Sequence, residues 1–258
     1  MRTTPLPLPA LPLLAVLVAL VVAGCGSASE EAGSSAGASG SASSSPSADT
    51  TIEGCAPDSP QLTSARTLTR ADLDGDGTRE AVRLTAPGGT CGGTVFAQVG
   101  DTVLSARLPG DEPPVTSAYA VTVPGVEGDL LVTTQQHPRG GFQTRVFGGS
   151  GTLTEVEVAG RPLVPFVATD VQEQPLSVDC GKGSLVLTEA VAHEPVGVVP
   201  AFDVRRTTYA LDRGGDGSVT LTKGSTREIA DNVLDRQLGQ AYPALVGHRM
   251  FPSCRAAG

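Results

Sequence analysis

Asp72-Leu73-Asp74-Gly75-Asp76-Gly77-Thr78-Arg79-Glu80 is the stretch on which the reading of this chain turns. Aspartates at alternate positions, with glycines between them, describe a tight loop whose carboxylates point inward together. Strand-like runs flank it, residues 65–71 before and 81–84 after. In the second run Val82 and Leu84 alternate with Arg83, the period-2 signature of a half-buried strand. A strand, an acidic loop and a second strand are therefore expected here.

Outward from this hairpin the same alternation recurs. Residues 94–99 and 102–108 are separated by Gly100-Asp101, and residues 115–123 are followed by Pro124-Gly125. Residues 129–134, 142–147 and 152–158 come next, then 184–188, 202–211 and 218–221. Gly, Pro and Asp punctuate nearly every gap. The runs suggest a unit of four strands repeated three times. Second strands begin near 80, 129 and 184, third strands near 94, 142 and 202, and fourth strands near 102, 152 and 218. An insertion falls around residues 192–200 of the third unit. Four antiparallel strands per unit is the plan of a propeller blade, but three blades are fewer than closed propellers use. The expected fold is mainly β, an irregular or partial propeller-like array of antiparallel blade-like sheets. A sandwich whose meanders mimic repeats is the alternative. One C-terminal helix is expected from Ser225-Thr226-Arg227-Glu228, which has capping-box spacing. Ile229, Val233, Leu234 and Leu238 follow at helical intervals, and Tyr242-Pro243 would end it.

The loop itself predicts a calcium site. Calcium takes six to eight hard oxygen ligands. Asp72, Asp74 and Asp76 would supply carboxylates, Thr78 its carbonyl, and Glu80 would close the sphere. An EF-hand needs an acid at its twelfth position, where this chain has Arg83. The alternative is an acidic turn that binds nothing, in which three aspartates repel one another. The nine residues resemble the D-x-D-x-D-G-x-x-[DE] loop of FG-GAP or VCBS-type repeats, which joins two strands of a propeller blade. That resemblance implies the same five ligands. Asp212-Arg213-Gly214-Gly215-Asp216-Gly217 keeps the shape but lacks the middle aspartate, and reads as a hairpin turn. The segment 124–129 carries only Glu127 and Asp129 and reads the same way.

The first residues read as a targeting device. Arg2 supplies one positive charge, residues 11–22 are apolar, and Val22-Ala23-Gly24-Cys25 closes the run. The run is short for a spanning helix and ends in small residues, as in a cleaved signal. It resembles the lipobox of bacterial lipoproteins. Lysines are scarce and Ala, Gly and Val abundant, as in actinobacterial proteins. The resemblance implies a signal peptide over residues 1–24 and a covalent diacylglycerol on Cys25. Two acyl chains would hold the mature protein to the outer face of the cytoplasmic membrane. Residues 25–51 are mostly Gly, Ser and Ala, which bury little apolar surface, and are expected to act as a disordered tether. Such a tether spans about 30 Å. Residues 52–258 are then the β-rich extracytoplasmic domain, long enough for a real core.

Four cysteines remain beyond Cys25. An even count in an exported chain argues for two disulfides. Sequence allows three pairings, of which Cys55–Cys91 with Cys180–Cys254 is favoured, tying the domain's start to the first unit and its tail to the third. No C-x-x-C pair or close histidine accompanies them to make a zinc site.

Function is less legible. With a formal net charge of −9, the chain lacks the basic surface that nucleic acid requires. Gly148-Gly149-Ser150-Gly151-Thr152 lacks the last glycine of a nucleophile elbow. Gly181-Lys182-Gly183-Ser184 lacks the upstream glycine and the Lys-Ser/Thr adjacency of a P-loop. His137, His193 and His248 are scattered. The expectation is a membrane-tethered, non-catalytic binding or envelope-associated domain with one structural calcium, whose partner is an envelope protein or glycan. An exported hydrolase with a site assembled across the sheets is the alternative. A two-lobed solute-binding lipoprotein would need more chain and more helices.

Overall fold

The computed structural model describes residues 55, 58–108, 114–136, 142–149, 151–158, 160–163, 175–193, 201–215, 217–246 and 250–256. Residues 1–51, where the sequence predicts a signal, a lipidated Cys25 and a tether, lie outside these residues. Among the described residues the protein is mainly β, 59% strand against 9% helix, in antiparallel sheets with no closed barrel. No described helix is long and apolar enough to cross a membrane.

A short helix, α1 (Pro60–Thr63), is capped by Ser59, whose hydroxyl accepts from the Leu62 N–H at 3.3 Å. The first sheet follows in simple meander order: β1 (Arg66–Ala71), β2 (Glu80–Leu84), β3 (Thr94–Val99) and β4 (Thr102–Arg107). The second contains β5 (Val115–Thr122), β6 (Asp129–Gln136), β7 (Phe142–Gly148) and β8 (Thr154–Glu155). A small ribbon pairs β9 (Glu157–Val158) with β10 (Arg161–Pro162). The third sheet is β11 (Leu176–Gly181), β12 (Ser184–Ala192), β13 (Ala201–Arg213) and β14 (Val219–Leu234). Two helical turns, α2 (Asp235–Ala241) and α3 (Pro243–Val246), come next, and β15 (Arg255–Ala256) returns to pair with β5.

The three four-strand meanders thus fall in the phase that alternation predicts. Their faces explain why. β6 is buried on both sides because successive residues serve different cores. Leu130 and Val132 join Leu185, Leu187, Tyr209 and Leu211 of the third sheet. Leu131 joins Val82, Val95 and Leu104 of the first. The second sheet therefore lies between the other two. A third cluster sets Leu238 and Leu245 of α2 and α3 on Ala190, Phe202 and Val204.

Two expectations need correction. The run 152–158 is not one strand: it breaks at Val156, whose side chain is buried and whose N–H donates to the Val146 carbonyl at 2.8 Å. The C-terminal helix starts nine residues later than the capping box implies, at Asp235 with Leu234 as its N-cap. Ser225, Thr226, Arg227, Glu228, Ile229, Val233 and Leu234 all belong to β14. Thirteen-residue β13 offers a ladder along that whole stretch, and Ile229 and Val233 reach the same helix-facing cluster from the strand. Cross-strand pairing outweighs a local cap worth about 1 kcal/mol.

Both favoured disulfides are formed. Cys55–Cys91 ties the chain ahead of α1 to the loop before β3, with Cα atoms 5.2 Å apart. Cys180–Cys254 ties β11 to the C-terminal segment, with Cα atoms 5.0 Å apart. That segment is also held by the Val178 N–H, which donates to the Met250 carbonyl at 2.7 Å, and by Met250 and Phe251 in the core.

Candidate metal site and its brace

The β1–β2 loop gathers Asp72, Asp74 and Asp76. One carboxylate oxygen from each lies within 4.8 Å of the others. Oxygens sharing a calcium at about 2.3–2.6 Å are at most about 5 Å apart, so this spacing suits a common ion. The backbone sets the aim. Gly75 and Gly77 adopt φ of +84° and +86°, which favours residues without a Cβ. Asp72 accepts from the Gly75 N–H at 2.8 Å and the Gly77 N–H at 3.1 Å, one bond on each oxygen. Asp74 accepts from the Asp76 N–H at 3.2 Å, and Asp76 from the Thr78 N–H at 2.6 Å. These local turns fix each carboxylate while leaving lone pairs for a ligand.

Glu80 stands apart from the three-aspartate group. Its Oε2 accepts from the Leu73 N–H at 3.2 Å, tying the last residue of the loop back to its second. Burial raises its pKa, and the charges of Asp74 and Asp76 add to this against the lowering effect of its backbone bonds.

Two residues outside the motif brace the loop: Arg213 from a segment that reads as a turn, and Asp129 from the junction of a turn and a strand. Asp129, at the start of β6, is 2% exposed. Its Oδ2 accepts from the Asp72 N–H at 3.0 Å and its Oδ1 from the Thr122 hydroxyl at 2.6 Å, while its own N–H donates to the Asp72 carbonyl. Arg79 lies 3.9 Å from the same carboxylate. Arg213, at the end of β13, donates to the Leu73 carbonyl at 2.8 Å and to the Asp129 carbonyl at 3.1 Å. Burial lowers the pKa of Arg213, and the charges of Asp72, Asp129 and Asp74 oppose that. Gly128 admits this packing, since a Cβ there would stand 3.0 Å from the Asp72 carbonyl oxygen and 3.1 Å from the Gly75 nitrogen. One sequence signal pointed this way: Asp129 opens the second strand of its unit, the position Glu80 holds in the first.

The discounted enzyme motifs take ordinary places. Gly181-Lys182-Gly183-Ser184 is the β11–β12 hairpin, with Gly181 opposite Ser184 and Gly183 at φ +61°. Ser150, His137 and His248 lie outside the described residues. His193 Nε2 meets Asp203 Oδ1 at 2.5 Å across the β12–β13 end. Burial works to raise Asp203, but the His193 ring, the Asn232 N–H and Arg205 together hold it below the usual carboxylate range.

The β-rich fold and braced acidic loop describe an architecture, and comparison adds no relative to it. No known family, curated protein or solved structure matches the chain.

Proposed function

We propose that the chain is a membrane-tethered, extracytoplasmic lipoprotein whose blade-like sheets form a non-catalytic binding domain with one structural calcium. Asp72, Asp74 and Asp76 would hold the ion, with the Thr78 carbonyl and Glu80 completing its shell. The observation that carries this reading is the gathering of three carboxylates within 4.8 Å, in a loop joined by Asp129 and Arg213 to the other two sheets. An ion there offsets the mutual repulsion of the aspartates and fixes the first meander against the next two. Cys25 would carry the diacylglycerol and place the domain on the outer face of the cytoplasmic membrane. The partner would be an envelope protein or glycan, and the acidic balance speaks against nucleic acid. The His193–Asp203 pair favours a second reading, an exported hydrolase, but its described contacts include no nucleophile.

Thermal melting with calcium and with chelator tests the metal. At a hundredfold excess over the dissociation constant, calcium adds about 2.7 kcal/mol. An Asp74→Ala variant should lose that increment. Equal melting temperatures with calcium and chelator in the parent chain reject the site. For the anchor, Cys25→Ser should release the protein into the medium, and its retention on membranes rejects lipidation.

A further inference from the structure

The first sheet carries a cavity of about 350 Å³, lined by Ala81, Arg83, Phe96, Gln98 and Gly100. Small-molecule sites span about 300–1,000 Å³. Ala81 and Arg83 point away from the inter-sheet core, which takes their neighbours Val82 and Leu84. Phe96 is 6% exposed, backed by Cys55, Leu62 and Cys91. The Cys55–Cys91 bond and α1 therefore hold Phe96 in place and leave only its edge to the cavity. Arg83 stands directly opposite Phe96 in the β2–β3 register. The Gln98 side-chain amide donates to the Gly100 carbonyl at 3.2 Å, which fixes the side chain at the rim.

Charge decides what fits. Among the described residues no carboxylate pairs with Arg83. Asp101, in the adjoining turn, is not among the lining residues. A partly buried arginine that pairs with no described carboxylate, beside the edge of a fixed aromatic ring, matches a ligand that has a carboxylate at one end and an apolar body at the other. The guanidinium fork takes a carboxylate through two parallel N–H bonds.

We infer that this cavity binds a small carboxylate with an aromatic or branched apolar group. The carboxylate lies on Arg83, the apolar group against Phe96 and Ala81, and a ligand N–H on the Gln98 carbonyl oxygen. The same chemistry occurs in a free N-acylated amino acid and at the C-terminus of a peptide. This inference rests on reading the domain as a binding module, and it is independent of the calcium loop.

Calorimetric titration of the purified chain tests it, with N-acetyl-L-phenylalanine, its primary amide, and a tripeptide ending in phenylalanine with a free carboxylate. The acid should bind saturably and the amide at least about tenfold more weakly. Arg83→Gln should cost the acid a similar factor, leave the amide unchanged and keep the melting temperature. Arg83→Lys, which keeps charge without the fork, should fall between and serves if the glutamine variant does not fold. A tripeptide tighter than the acid assigns the peptide terminus as the ligand, and equal affinity assigns the free carboxylate. Equal affinity for acid and amide, an unchanged Arg83→Gln, or no saturable binding of either carboxylate overturns the site. Binding that ignores Arg83 would spare the wider reading of a binding domain and remove only this cavity from it.

Discussion

Asp72 and Asp129, 57 residues apart, bond each other in both directions: the Asp72 N–H donates to the Asp129 carboxylate, and the Asp129 N–H to the Asp72 carbonyl. The first residue of the acidic loop is thereby fixed to the first residue of the central strand of the second sheet. The brace consists of hydrogen bonds within the chain, so it is testable with calcium removed.

Asp129→Ala leaves the Asp72 N–H and the Thr122 hydroxyl, both partly buried, without their acceptor. The expected loss is about 2–4 kcal/mol. Asp129→Asn keeps one oxygen acceptor and should lose about half as much. Urea unfolding followed by circular dichroism, with chelator present throughout, measures both. A loss below about 0.5 kcal/mol for the alanine variant would mean that the brace carries no weight.

Gly128 and Gly100 separate backbone strain from crowding. Both have positive φ, +73° and +54°, but a Cβ at Gly100 meets nothing within 4 Å, whereas one at Gly128 meets the loop backbone. Gly100→Ala should cost about 1 kcal/mol. Gly128→Ala should cost at least about 1 kcal/mol more and weaken calcium binding through the displaced loop. Equal costs in the two variants would show that the loop yields without resistance.

Glu80→Gln should act in opposite directions with and without calcium. A raised pKa means that the fold binds the Glu80 proton more tightly than the unfolded chain does. Its penalty is fully present above the folded pKa and fades as pH falls through that value toward the ordinary carboxylate range. In chelator at neutral pH, Glu80→Gln should therefore be at least as stable as the parent, with the advantage vanishing under acid. In calcium it should bind the ion more weakly, because an anionic ligand is lost. Parallel melting series across pH, with and without calcium, read both effects. A variant less stable than the parent in chelator at neutral pH contradicts the sign.

The two disulfides should differ in reactivity. Cys55 and Cys91 are 5% and 1% exposed, whereas Cys180 and Cys254 are only partly buried. Limited dithiothreitol should open Cys180–Cys254 first, because exchange needs access to a sulfur. Alkylation and peptide mass spectrometry give the order. Each bond closes a long loop, with sequence separations of 36 and 74, so loss of either should cost about 4 kcal/mol by the chain-entropy account. Simultaneous opening of both would show that reduction follows global unfolding instead.

Much of the fold was legible because strand alternation is local. Glu80, Asp129 and Ser184 open second strands where the period placed them, and Thr94 and Phe142 open third strands. The acidic loop was legible for the same reason, since its aspartates and glycines lie within nine residues. Helix α2 was misplaced because the capping box at Ser225–Glu228 is equally local, while the ladder that overrides it comes from β13. Arg213 escaped notice for a related cause. Its partner Leu73 lies 140 residues away, and its targets are main-chain carbonyls, which leave no mark on side-chain chemistry. Asp129 was visible as an acid in a turn, but its burial depends on sheets that only the folded chain brings together.

The Cys55–Cys91 bond also sets how the domain would bear a mechanical load. Tension drawn on the chain ahead of Cys55 enters the fold at Cys91 as well as along the polypeptide. Helix α1 and strand β1, which lie between the two cysteines, are shielded in a covalent loop and cannot be drawn out straight. β1 is an edge strand and would otherwise be the first to peel, taking one side of the acidic loop with it. The bond diverts that pull toward β3, an inner strand with a neighbour on each side, so a pull on the chain ahead of Cys55 would leave the aspartates assembled.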